Sequence, residues 1–158
     1  MANTQSMCTS FMGELLTATH NFGTAPTRGT SAADTFKGAL YLASATIDAA
    51  TTVYSSTGEV TGTGYSAGGV TVTNANPPTA TNASSTAGVA YWTPSASLTY
   101  TSVTLTTAFD AVLIYNSSQS NKAVSVHTFG SQTITAGTFT LTMPASTTTT
   151  ALLRLATT

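Results

Sequence analysis

The chain has 158 residues, enough for one domain with a sizeable core, and it carries 6% charged side chains and a net charge of −1, against roughly 25% charged in an average soluble domain. Its four basic residues, Arg28, Lys37, Lys122 and Arg154, are too scattered to track phosphates, which excludes nucleic acid and anionic membrane as partners. Polarity comes instead from 37 Thr and 18 Ser, and a chain so rich in β-branched Thr reads as all-β.

Residues 1–35 read as an N-terminal arm and residues 36–158 as a β-sandwich domain. In the arm, Met7, Phe11 and Leu15 fall at i, i+4 and i+8, with Cys8, Met12 and Leu16 alongside. That stripe predicts a short amphipathic helix from about Ser6 to His20, with Gly13 weakening its middle and Gly23 ending it. The stretch "GTAPTRGTSAAD" (23–34) follows as an extended connector. The helix can pack on its own domain or on a neighbour. The change of composition near Asp34 predicts that the arm docks more than it folds, so that a chain lacking residues 1–30 keeps its β structure.

Strands are predicted at "FKGALYLA" (36–43) and "TTVYSST" (51–57), before a Gly-punctuated turn, "GEVTGTGYSAGG" (58–69). "VTVTN" (70–74) resumes alternation, and the prolines of "ANPPTATNASSTAG" (75–88) mark a loop. "VAYWT" (89–93) and "SLTYTSVTLT" (97–106) come next. In the latter Leu98 and Tyr100 share one phase and Val103 and Leu105 the other, which predicts a bulge or bend.

"AVLIY" (111–115) is apolar throughout, as a central strand buried on both faces would be. The polar loop NSSQSN (116–121) leads to "AVSVHTF" (123–129), and the two strands together read as the inner wall of the domain. "SQTITAGTFTLTM" (131–143) is predicted to be a hairpin turning at Ala136-Gly137, and "TALLRLA" (150–156) to be a closing strand. Strands at this spacing favour a single sandwich or jelly roll.

The residues that could do chemistry are few. His20 and His127 are the two imidazoles; His127 alternates with Val124 and Val126 and so shares a face with Ser125 and Phe129. No Gly-x-Ser-x-Gly elbow accompanies them. The carboxylates Glu14, Asp34, Asp48, Glu59 and Asp110 have no spacing that forces a catalytic pair. Asp110 reads as a strand-edge residue and Asp48 as the cap of a turn. One cysteine, two distant histidines and no Asp-rich loop give no metal site. "GTGYSAGG" (62–69) lacks the Lys-Ser/Thr ending of a phosphate loop. The expectation is therefore no enzyme, and no catalytic, cofactor-binding or metal-binding residue is assigned. Trp92 and Tyr41, Tyr54, Tyr65, Tyr91, Tyr100 and Tyr115 read as core or interface packing; an exposed Tyr65, Tyr91 or Trp92 could instead stack on a sugar.

Cys8 alone forms no intrachain disulfide. Without a charged-then-apolar leader the chain is expected to fold in a cytoplasm, and its two glycosylation sequons, at Asn82 and Asn116, are discounted accordingly. A surface of Thr, Ser and Gly with so little charge repulsion suits burial against neighbours in an assembly. Interfaces of such a chain must be held by apolar side chains, Thr methyls and strand edges, since ion pairs are too few.

The segments "DTFKGALYLASATI", "TGEVTGTGYSAGGVTVTN", "AVLIYN…NKAVSVHTFGS" and "GTFTLTMP" resemble, in order and texture, a group of small β-rich virion proteins of tailed bacteriophages. The likeness covers roughly residues 34–155 and contains no catalytic motif. It implies a virion structural protein present in many copies, a capsid decoration or cement protein, assembled in the host cytoplasm. Its partners would be the major capsid protein or other virion proteins and further copies of itself, with a trimer as the first expectation. A tail or head–tail junction protein, or a carbohydrate-binding host-recognition module, are the alternatives.

Overall fold

Six consecutive residues from Ala111 to Asn116 are each at most 3% exposed, and the computed structural model explains why. It describes residues 3–16, 19–22, 33–73, 76, 78–81 and 88–156. The run lies in a 19-residue strand, β6 (Leu98–Asn116), flanked by β2 (Phe36–Leu42) and by the 20-residue β7 (Lys122–Leu141). The larger sheet has the order β1-β7-β6-β2-β3, with β1 (Ser6–Met7) and β3 (Val70–Thr71) as short borders. A second sheet consists of β5 (Val89–Trp92) between β4 (Thr79–Ala80) and β8 (Leu153–Ala156). All pairings are antiparallel. This is the all-β, two-sheet architecture expected from a Thr-rich chain, with a single short helix among the described residues, α1 (Thr9–Leu16).

β6 and β7 form one long hairpin across NSSQSN, where Ser120 and Asn121 take positive φ (52° and 58°) and Asn116 pairs with Lys122. The register is regular from Ala111↔Thr128 to Ile114↔Ser125 and shifts repeatedly between Tyr100 and Ala111. Ser102, with φ 53°, sits at the predicted change of phase. Its carbonyl lies so close to Gly64 that a Cβ there would stand 2.2 Å from the oxygen. Only glycine, also free to take the observed φ of 77°, lets the turn reach the bulge.

The expected hairpin at Ala136-Gly137 does not exist. Ala136 (φ 46°) is a bulge inside β7: Gly137 pairs with Val103 and Ile134 with Leu105, and the strand runs on to pair Leu141 with Leu98. The irregularities on β6 need a matching irregularity on its partner, and the Ala-Gly step supplies it without reversing the chain. The strand predicted at 51–57 is also absent. Val53 makes one isolated bridge to Lys122 and is 46% exposed, because the chain must leave the sheet and turn back at Gly58 to bring Glu59 beside Tyr41. The loop predicted over 75–88 holds the two residues of β4; its residues 75, 77 and 82–87 lie outside the described part.

α1 is shorter than the predicted helix from Ser6 to His20. Ser6 and Met7 pair as β1 with Val126 and Ser125 instead, while residues 17, 18 and 23–32 lie outside the described part. The arm packs on its own domain. Cys8, Phe11, His20 and Phe22 are buried, and Phe22 stacks on Phe36 at 4.3 Å and meets Trp92 at 4.7 Å. Trp92 and Leu153 carry the small sheet into the same core. Fully burying a side chain such as Phe contributes about 1.5–3 kcal/mol, so Cys8, Phe11, His20 and Phe22 are part of what holds the domain together. This packing counts against the expectation that the arm docks more than it folds.

Candidate functional site

Two clusters of polar side chains lie inside the described structure, one on the Gly-rich turn and one between the arm and the β6–β7 hairpin. The first centres on Glu59, 5% exposed. Tyr54 Oη donates to its Oε2 at 2.6 Å, and Tyr65 Oη and Gly68 N–H donate to its Oε1, each at 2.7 Å. Tyr65 Oη in turn accepts from Leu40 N–H at 3.0 Å, beside the edge of β2. Tyr115 donates to Gly68 O, Tyr100 to Gly38 O and Tyr41 to Ser55 O. Tyr54 lies stacked on Tyr115 and Tyr65 on Tyr100.

The electrostatics of this cluster oppose tyrosine ionisation. Burial, and then the nearby Glu59 charge, push Tyr115 up to about 12. Tyr54, Tyr65 and Tyr100 are driven up further by the same causes, with hydrogen bonds to Glu59 adding to the shift of Tyr54 and Tyr65. Tyr54 and Tyr65 are donors to a fixed carboxylate, and Tyr100 and Tyr115 to backbone carbonyls. The geometry suits fastening a loop of poor intrinsic structure to β2 and β6. A cleft of about 160 Å³ opens beside it, lined by Tyr65, Val70, Thr99 and Tyr100 among others.

The second cluster centres on His20. Its Nε2 lies 2.7 Å from Glu14 Oε2, and its Nδ1 lies 3.0 Å from Asn116 Nδ2. The Asn116 amide also donates to Asp34 Oδ2 at 2.7 Å, and its Oδ1 accepts from Ser118 N–H. Both amide hydrogens are thus engaged, which fixes His20 Nδ1 as an acceptor and places the ring proton on Nε2, donated to Glu14. Lys122 Nζ reaches Glu14 Oε1 at 2.6 Å, and Asn21 N–H and Gln119 Nε2 reach Asp34. Burial alone would raise the Glu14 carboxyl, but the hydrogen bonds from Lys122 and His20 and the charge of Lys122 outweigh it and hold Glu14 below the ordinary value.

A carboxylate–imidazole pair orients a general base when a nucleophile or substrate meets the second ring nitrogen. Here that nitrogen meets Asn116, an amide with no proton to give up in catalysis. The pair ties α1 and the segment around Asn21 to the hairpin. His127 stands apart, with Nε2 2.8 Å from Ser125 Oγ, on the face that alternation predicted. Burial pushes it down to about 4, so the ring is neutral at pH 7.

Of the remaining acids, Asp48 caps a turn as expected, accepting from Ala50 N–H at 2.8 Å, whereas Asp110 lies inside β6 and not at the strand edge expected of it, and accepts from Asn3 Nδ2 at 2.6 Å. Trp92 is 3% exposed and donates Nε1–H to Asn76 O, which corrects its candidacy as an exposed sugar platform. Neither cluster was visible in the sequence, since Glu14, Asp34 and Asn116 are far apart along the chain and only the fold joins them. Tyrosines at 54 and 65 flanking Glu59 were the one available signal, and they fit no motif of known chemistry. Compared with family models, with curated proteins and with solved structures, the chain has no match in any of the three.

Proposed function

We propose that the protein is a structural component of a tailed-bacteriophage virion, a capsid decoration or cement protein that binds the shell as a homo-oligomer. One observation carries the reading. The acids and imidazoles that chemistry would call on are engaged in fastening the fold, through Glu59 to the tyrosines, through Glu14 and His20 to Asn116, and through Asp110 to Asn3. What the domain offers outward is a neutral, Thr-rich strand surface on β6 and β7. The resemblance of residues 34–155 to small phage virion proteins supplies the setting.

In this role the mechanism is burial of area. Each copy bridges adjacent capsid subunits and adds interface free energy to the closed shell, which opposes internal pressure. With nine charged residues in the chain, the contacts are apolar and strand-edge in kind and persist at high salt, where exposed ion pairs would be screened.

Quantitative mass spectrometry of purified particles tests this. Hundreds of copies per particle are expected. Tens or fewer would move the protein to the tail or the head–tail junction, and absence from the particle would overturn the reading.

A further inference from the structure

The outer edge of β7 is the long open edge of the larger sheet. On the side away from β6, β1 covers Ser125 and Val126, and from Phe129 to Leu141 no strand pairs with β7 among the described residues. The other borders are short: β3 and β4 have two residues each, and β8 has four and carries Arg154. From Ala123 to Met143 there is no Lys, Arg, Asp, Glu or Pro, so the residues that ordinarily blunt an edge against pairing are missing. Bulges twist an edge away from a partner, and β7 has one at Ala136 and a further irregularity between Thr128 and Gln132. Together they confine regular pairing to the segment after Ala136, Gly137 to Met143.

In that segment, the end of β7 and the two residues after it, the side chains alternate cleanly. Phe139, Leu141 and Met143 are partly buried against the core, while Thr138, Thr140 and Thr142 are exposed. Met143 N–H turns inward to Ser97 Oγ at 3.4 Å. Backbone direction alternates with the same period of two, so the N–H and C=O groups of Thr138, Thr140 and Thr142 point outward, towards the open edge.

We propose that this edge pairs antiparallel with the same edge of a second copy, across a two-fold axis at Thr140. The register sets Thr140 against Thr140, Thr138 against Thr142 and Phe139 against Leu141, with Gly137 opposite Met143. All the outward-facing backbone groups meet partners, about six hydrogen bonds by the antiparallel pattern. Threonines meet threonines on the exposed face and apolar side chains meet apolar side chains on the other, both favourable cross-strand pairs. No like charges face each other. A second copy fits because the segment is complementary to itself, and such an isologous contact closes after two copies. It therefore gives a dimer, or an assembly of dimers, in place of the trimer first expected. The inference deepens the homo-oligomer part of the proposed function by naming its contact.

Two variants test it. Thr140→Lys leaves the bonds to β6 in place and sets two cations against each other across the axis. Sedimentation equilibrium should give twice the 16.0 kDa chain mass for the parent and the single-chain mass for T140K, with the circular dichroism spectrum unchanged and the melting still cooperative but no longer dependent on concentration. Thr140→Cys should cross-link to a dimer under mild oxidation, because hydrogen-bonded antiparallel residues sit ~5.5 Å apart at Cα, within the roughly 4.4–6.8 Å a disulfide spans. Thr133→Cys, on the same strand but on the other side of the bulge, should not; the native Cys8 is fully buried. An oligomer that T140K leaves intact, with T140C failing to cross-link, overturns the edge while the assembly reading stands. A parent chain that stays monomeric at every concentration overturns the edge as well, and if it is also absent from particles the assembly reading falls with it.

Discussion

Replacing Glu59 separates two accounts of the buried carboxylate, as a fastener of the Gly-rich turn or as a dispensable polar residue. Glu59→Ala removes the acceptor of three donors: Tyr54 Oη, Tyr65 Oη and Gly68 N–H. Each buried donor left without a partner costs about 1–3 kcal/mol. Tyr54 keeps intermediate exposure and can turn to water, whereas Gly68 is buried and Tyr65 Oη is also held by Leu40 N–H. Two orphaned donors give about 2–6 kcal/mol, and removing a buried charge returns part of it by ending its desolvation. A net loss of about 2–4 kcal/mol is expected. Glu59→Gln keeps one oxygen for Tyr65 and Gly68 and turns its amide to Tyr54 Oη, which can accept, so it should lose about 1 kcal/mol. Urea unfolding followed by circular dichroism measures both through the shift in midpoint at constant slope. If Glu59→Ala falls within about 0.5 kcal/mol of the parent, the ordinary range of a surface substitution, or if Gln proves as damaging as Ala, the fastening account is wrong.

The arm supplies a second prediction: Phe11→Ala should cost about 3–5 kcal/mol, as large-to-small changes at buried aromatics do, and a chain lacking residues 1–22 should lose cooperative melting, since Cys8, Phe11, His20 and Phe22 go with it. Cooperative unfolding of the truncated chain at the parent's midpoint would show that the arm is an accessory after all. Glu14 sits below its ordinary value, so its ion pair with Lys122 and its hydrogen bond from His20 stabilise the fold above the unfolded-state value near 4.5, and that contribution is lost as pH falls through the lower folded value; the melting difference between the parent and Glu14→Gln should be present at pH 6 and close towards pH 3. Cys8 is pushed up to about 12, by burial first and then by Asp48 and Glu14, so it should resist a thiol reagent at pH 8 in the folded chain and react at once in urea, and fast labelling without denaturant would contradict its burial.

The sequence by itself determined the class of fold and the innermost strand. β-Branched Thr and the continuous apolar run 111–115 dictate a sheet with a two-faced central strand, because both are local properties of the chain. The change of phase between Tyr100 and Val103 was equally local, since a period of two cannot slip without a bulge, and a bulge is found at Ser102. Tertiary structure decided the rest. Ala136-Gly137 has the chemistry of a turn and of a bulge alike, and the choice fell to the irregular register of β6 opposite it. "TTVYSST" alternates like a strand, yet Tyr54 was needed at Glu59, and the segment keeps one bridge to the sheet. The arm looked detachable because its composition changes at Asp34, whereas its aromatic side chains complete a core that the β-domain leaves open beside Phe36 and Trp92. Composition and period report what a segment prefers alone; which surface it must cover is set by neighbours distant in the chain, and burial of that surface outweighs local preference.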